Sequence, residues 1–289
     1  MDENMAAYLS ASPAAQSFAR WYMKWIYFAQ FDHHIAVSHH TAGELRQASR
    51  GHLVRRGVWV APMGVDVSTF SPILRNETLR RELLHRAGGG PGSSLLLYAG
   101  RLAPEKNVDL LAGALAARDG EDWRLVLAGS GVAEQRLRAA LEPGRFAFLG
   151  HIADRSQLAS IVASADVVVH PNPRDPFGIA PLEAMASGLP LVVPDRGGVT
   201  TYAGSSVAEV APPEPEAFAH SIRHALRRNP DKLARARQRA EAFAWPLVIS
   251  RYFQLYSNIH TLVRQGEYAG IPPDFYSTHG NWLGRETAG

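Results

Sequence analysis

A chain of 289 residues, 46% hydrophobic and 20% charged, can build one large domain or two smaller ones around a sizeable core. Its net charge of +3 is too small, and its Lys and Arg too dispersed, for a nucleic-acid binder, but it suits anionic ligands or lipid headgroups. The lack of cysteine excludes disulfides, thiolate metal sites and thiol nucleophiles, and it fits a reducing, cytoplasmic setting.

The opening MDENMAAYLS is acidic and polar, so no secretory leader is expected. No apolar run reaches the ~18 residues of a spanning helix. Residues 1–72 read as a separate, irregular opening. Within it, 15–31 has helical spacing and is crowded with aromatics: Trp21, Tyr22, Trp25, Tyr27 and Phe28, beside Arg20 and Lys24. Buried helix packing is the favoured reading of that stretch, and a membrane-surface face is the alternative. A short apolar run at 35–38, a helix over 41–47 and a strand over 58–62 follow. The histidine pairs at 33–34 and 39–40 have no matching set of spaced carboxylates, so no metal site is assigned. The glycine-rich run 88–92 reads as a flexible joint.

From residue 95 the pattern becomes regular. Buried-strand runs at 95–99, 124–128, 146–149, 167–170, 191–193 and 207–210 alternate with helical patterns at 108–117, 133–141, 156–163, 181–187 and 215–228. This predicts an α/β fold: a Rossmann-like parallel sheet with helices on both faces, and loops beyond the carboxyl ends of the strands as the ligand-binding rim. A long helix over 245–264 and a Gly/Pro/aromatic tail complete the chain. The expected domains are an N-terminal remnant and linker (1–72), a ligand-binding domain (73–244), and a C-terminal helix and tail (245–289).

The candidate chemistry lies in those loops. In 172–188, NPRDPFGIAPLEAMASG, the loop carries Asp175 and the turn Phe177-Gly178, and a short helix opening at Ile179 carries Glu183. Unpartnered N–H groups at such a helix start suit an anion, and the two carboxylates can accept from sugar hydroxyls, so the unit suits a nucleotide-sugar. Glu183 is expected to be exposed, so that its loss leaves folding largely intact. After the first strand, Gly100 permits a tight turn, and Arg101 and Lys106 can neutralise a departing diphosphate. The alternative is two solvated cations, with Lys106 paired to Glu105. Gly129-Ser130-Gly131 opens a helix, but Glu134 stands where a dinucleotide fingerprint needs glycine, which leaves a tight turn beside a ligand or a plain turn. His170 can touch phosphate or sugar, or serve packing. Gly197-Gly198 permits close backbone approach, or is a plain turn.

GRLAPEKNVDLL, the GSG segment, FLGHIADRSQLASIVASADVVVHP, DPFGIAPLEAMASGLPLVV and the glycine pair at 197–198 occur in an order that resembles family 4 glycosyltransferases of the GT-B fold. The resemblance covers roughly 64–228. It implies a retaining, metal-independent transferase without a cofactor, using a nucleotide-diphosphate sugar as donor. It also implies roles: Arg101 and Lys106 on the diphosphate, N–H groups near Gly178 and Ile179 assisting, Glu183 on the ribose, and Asp175 on the donor sugar in place of the family's first glutamate. The seventy-odd residues before the donor-binding half resemble only the end of an N-terminal acceptor domain. The expectation is therefore a glycosyltransferase completed elsewhere, by a partner chain or a longer gene. A non-catalytic nucleotide-sugar-binding scaffold and a peripheral membrane adaptor are the other readings. The acceptor, whether lipid-linked carrier, glycan or small metabolite, stays open, with a site at the inner face of the membrane as one setting.

Overall fold

Leucine- and valine-rich runs build the six-stranded parallel sheet around which most of the molecule is organised. The computed structural model describes residues 17–18, 21–22, 25–26, 30–31, 33–49 and 58–265. The chain forms two compact units, Gly64–Trp245 and the flanking Met1–Met63 with Pro246–Gly289.

In the flanking unit, β1 (His34–Ala36) pairs in parallel with β2 (Val58–Val60). Between them runs α1 (His39–Ser49), whose Ala42 packs on Ala36 and Val58. Ser38 caps this helix, its hydroxyl accepting from Thr41 N–H at 3.1 Å. The described aromatics of the 15–31 stretch do not pack inside: Trp21, Tyr22 and Trp25 are exposed, against the burial expected of them. Tyr27, Phe28, Arg20 and Lys24 lie outside the described residues. His33 accepts from the Trp59 indole N–H at 3.2 Å. Among the described residues no three His, Cys, Asp or Glu side chains gather to hold a metal, and no helix is long and apolar enough to cross a membrane.

In the larger unit, α2 (Glu77–Arg86) precedes β3 (Ser94–Ala99). Then come α3 (Asp109–Ala116), β4 (Trp123–Ala128), α4 (Glu134–Ala140), β5 (Phe146–Gly150), α5 (Arg155–Ala163) and β6 (Val167–Val169). They are followed by α6 (Ile179–Ala186), β7 (Leu191–Pro194), β8 (Glu209–Ala211), α7 (Pro215–Leu226), α8 (Pro230–Glu241) and α9 (Trp245–Gln265), whose first residue still belongs to this unit. The strand order is β5-β4-β3-β6-β7-β8, all parallel.

Alternation decides which helix covers which face. Leu96 and Tyr98 of β3 pack with Leu111, Leu115, Phe218 and Ile222 of α3 and α7. Their neighbours Leu95 and Leu97 point to the opposite face and are equally buried. Both faces are therefore closed, as parallel sheets require.

The 88–92 run, read as a joint, lies inside this unit and is pinned. Gly89 N–H donates to Leu84 carbonyl at 2.8 Å, and Gly90 N–H to Ser93 Oγ at 2.9 Å. The unit's two ends meet instead at Val65 and Ala244: Val65 N–H donates to Phe243 carbonyl at 2.9 Å, and the Trp245 ring lies flush against Gly64.

Candidate functional site

Strand order reverses direction at β3, from which β4 and β5 lie one way and β6 to β8 the other. The loops leaving the carboxyl ends of β3 and β6 diverge there, and a crevice at such a reversal is the ligand position of open α/β sheets. Those two loops carry most of the residues singled out above.

The β3 loop turns through Pro104–Lys106 and ends at Asn107 in the left-handed region, φ 53°. An asparagine tolerates that conformation better than most residues. Its side-chain amide donates to Pro171 carbonyl of the β6 loop at 3.0 Å. This tie holds the β3 loop against the β6 loop, where Lys106 Nζ meets Asp175 Oδ2 at 3.1 Å. His170 Nε2 lies 3.6 Å from the same oxygen, and Asn172 Nδ2 donates to it at 3.4 Å. Lys106, His170 and Asp175 thus form one cluster.

Its electrostatics follow from burial. Desolvation pushes His170 down to about 4, against the pull of Asp175 and aided by Lys106, so the imidazole is neutral at neutral pH. For Asp175 burial works upward, but His170, Lys106 and the Phe177 N–H together hold the carboxyl below its ordinary value. Asp175 is a carboxylate whose cationic partner at neutral pH is Lys106.

The loop is braced from below. Asn172 Oδ1 accepts from Arg174 N–H at 3.0 Å, and Gly198 N–H donates to Asp175 carbonyl at 2.7 Å. A Cβ at Gly198 would lie 2.0 Å from Pro176 carbonyl oxygen, and one at Gly197 2.7 Å from that of Pro173. The backbone that this pair approaches is the Asp175 loop itself. The Phe177 ring is sealed between Tyr202 and Phe243, centroids 5.1 and 6.2 Å away, so it anchors the turn. Gly178, φ 83°, then starts α6, and no side chain caps the helix. The Tyr202 hydroxyl donates to Gly178 carbonyl, fixing the turn's tilt. The first N–H groups of such a helix start have no intrahelical partner, here those of Ile179 and Ala180.

Gly100, Gly129 and Gly131 interlock the loops after β3 and β4. Added Cβ atoms at Gly129 and Gly131 would lie 1.8 and 2.1 Å from the carbonyl oxygens of Gly100 and Leu102. Leu102 N–H donates to Ser130 carbonyl at 2.9 Å, extending the ladder beyond the sheet.

Two expectations change. Arg101, rather than Lys106, meets Glu105, Nη2 to Oε1 at 2.7 Å, because Lys106 is committed to Asp175. Glu183, expected to be exposed, is 4% exposed, since the fifth residue of α6 turns into the unit. Burial raises its pKa, and Arg155 offsets part of that rise from 2.9 Å. Sequence reasoning missed Arg155, Asn107, Asn172 and Tyr202. The long-range partners that give all four meaning are invisible in a linear reading.

The "GDP-mannose-dependent alpha-(1-6)-phosphatidylinositol dimannoside mannosyltransferase" of Mycobacterium tuberculosis is 40% identical over 188 residues, covering 64% of this chain and 48% of the relative. A D-inositol 3-phosphate glycosyltransferase of Geodermatophilus obscurus is 31% identical over 221 residues, covering 70% and 47%. The chain spans about half the length of these curated relatives. The solved sucrose-phosphate synthase from Thermosynechococcus elongatus has the same fold, with TM-score 0.70 at 24% identity over 89% of this chain and 66% of that one. The sheet unit is accordingly the C-terminal half of a GT-B fold, as the sequence predicts. The profile of the family described as "Glycosyl transferases group 1" matches residues 81–243, more than half of the chain, and the protein belongs to that family.

Proposed function

We propose that this chain is the donor-binding half of a family 4 glycosyltransferase, which moves a sugar with retention of configuration from a nucleotide-diphosphate sugar to an acceptor. GDP-mannose is the favoured donor and an inositol-bearing glycolipid or phosphate the favoured acceptor, on the names of the relatives above. The observation that carries the reading is the Lys106–Asp175–His170 cluster at the strand-order reversal, beside the uncapped start of α6.

In this reading Arg101, Lys106 and the Ile179 and Ala180 N–H groups receive the diphosphate, and Glu183 receives the ribose. The diphosphate draws Lys106 away from Asp175, which releases that carboxylate for a hydroxyl of the donor sugar. Asp175 is one methylene shorter than glutamate, and a bridging water completes its reach. As the bond from the anomeric carbon to the diphosphate oxygen breaks, negative charge grows on the phosphate. Fixed cations and backbone dipoles stabilise that charge, so this reading calls for no metal. The new bond from acceptor oxygen forms on the same face of the sugar, and the acceptor hydroxyl gives its proton to the departing phosphate oxygen. Acceptor positioning and water exclusion fall to an acceptor-side domain, in the same polypeptide or in a partner chain, working at the inner face of a membrane when the acceptor is a lipid.

Calorimetry tests the donor half. GDP and GDP-mannose are expected to bind more tightly than guanosine or UDP-glucose, and absence of any nucleoside-diphosphate binding would overturn the reading. The anomeric configuration of a product, read by NMR, tests retention. A non-catalytic donor-binding role is the second reading, motivated by Asp175; it predicts GDP-mannose binding with no transfer when an acceptor domain is supplied.

A further inference from the structure

We propose that Arg155 is the positioning residue for Glu183, holding that buried carboxylate ionised and turned toward the donor ribose; this rests on the ribose role given to Glu183 above. Asp154 caps α5, its Oδ1 accepting from Ser156 N–H at 2.8 Å, which makes Arg155 the first helical residue. A cation there opposes the helix dipole, so its placement needs a local compensation. Two are present. The guanidinium carbon lies 4.9 Å from the Phe70 ring centroid, and Nη2 lies 2.9 Å from Glu183 Oε1.

The contact is lopsided. The Glu183 side chain is 5% exposed and the Arg155 side chain 58%. Glu183 Oε1 is buried without an aligned hydrogen bond, so the Arg155 approach supplies charge but leaves the lone pairs open. A buried carboxylate oxygen in that state is costly, and a hydroxyl donor would satisfy it. Ribose hydroxyls are such donors, and an ionised carboxylate accepts from them more strongly than a protonated one.

The other charged or titratable groups around Glu183 do not replace Arg155. From α8, Arg237 spends its guanidinium on the carbonyls of Ala186, Phe70 and Val67 and on Glu241. Tyr202, buried, donates to Gly178 carbonyl and is held protonated. Asp175, in the loop before α6, is engaged by Lys106. The adjoining strand β7, LVVP, carries no charge.

Binding of GDP and of 2′,3′-dideoxy-GDP to the full chain tests this, because phosphate and base titrations cancel in the ratio of the two affinities. Arg155→Ala is expected to lose more of the preference for GDP at about pH 6 than at about pH 8, and more than the parent loses between them, as the uncompensated carboxyl takes up a proton more readily. Arg155→Lys restores the preference at the lower pH. Equal loss of affinity for both nucleotides at both pH values would mean that Arg155 only packs, and would overturn the proposal. Glu183→Gln is the control: it lowers the preference at both pH values if Glu183 holds ribose, because the neutral amide oxygen is the weaker acceptor. An unchanged preference in that variant would remove the ribose assignment itself, a failure distinct from an unmoved Arg155→Ala profile.

Discussion

Burial, more than residue type, assigns the work of the individual side chains in this site. His170 and Asp175 destabilise the fold at different acidities. The folded pKa of His170 is depressed to about 4 from 6.5, so the unfolded chain takes up the proton first and stability falls as pH drops through that window. The loss is of order 3 kcal/mol. Asp175, also depressed, keeps its contribution until the pH falls below its ordinary 3.8. Urea unfolding of His170→Gln should therefore lose the slope between about pH 6.5 and 4 while keeping, through Lys106 and the Phe177 N–H, part of the loss below it. Glu183 has the opposite sign. Its raised pKa means that the folded state holds the proton more tightly, so ionisation at neutral pH costs stability. Glu183→Gln should melt higher than the parent at about pH 7, by ~1–3 kcal/mol in stability, and match it at about pH 4. At the same cluster, Lys106→Ala should weaken GDP by about tenfold or more and leave guanosine within about twofold, because the lost contact is to a charged group. Equal losses in calorimetry would exclude Lys106 from the phosphates. Spacing alone marked Asp175, Glu183, Arg101 and Lys106 as candidates, but the pairing of Lys106 depends on a carboxylate 69 residues away and that of Glu183 on Arg155 of another helix, which no local pattern encodes.

Whether an element was legible depended on how apolar it is. The strands announced themselves, since Leu95–Leu97 and Val167–Val169 can only be buried runs. The helices α2 and α8 were not read from periodicity. ETLRRELLHR buries only Leu83 and Leu84, and PDKLARARQRAE only Ala236 and Ala240. Their caps carried the signal instead: Asn76 accepts from Thr78 and Leu79 N–H, and Asn229 accepts from Lys232 N–H with Pro230 at the first helical position. The glycines of the loops were visible as glycines, but their reason was not. At Gly129 the neighbour that forbids a side chain is Gly100 carbonyl, 1.8 Å from where Cβ would stand. Gly129→Ala should cost ~3 kcal/mol or more, read as a fall in melting temperature, because backbone must move on both loops. Gly198→Ala, whose obstacle is Pro176, should displace the Asp175 loop and cut nucleotide affinity more than stability.

At the scale of the whole molecule, the alternation of strand and helix foretold the parallel sheet, and the motif order foretold a group 1 glycosyltransferase. The 88–92 stretch, five residues with four glycines, reads as a joint, yet backbone hydrogen bonds pin it inside the larger unit, whose two ends are clasped side by side. Residues 64–245 hold their own two-faced core, and they should fold cooperatively alone and bind GDP with affinity close to that of the full chain. The clasp at Val65 and Ala244 makes the start and finish of this unit neighbours, so its order of elements along the polypeptide is an accident of where the loop is cut. Bridging Trp245 to Gly64 with a few residues and opening the chain at the exposed Gly92 should give a rearranged protein with the same sheet and the same nucleotide preference.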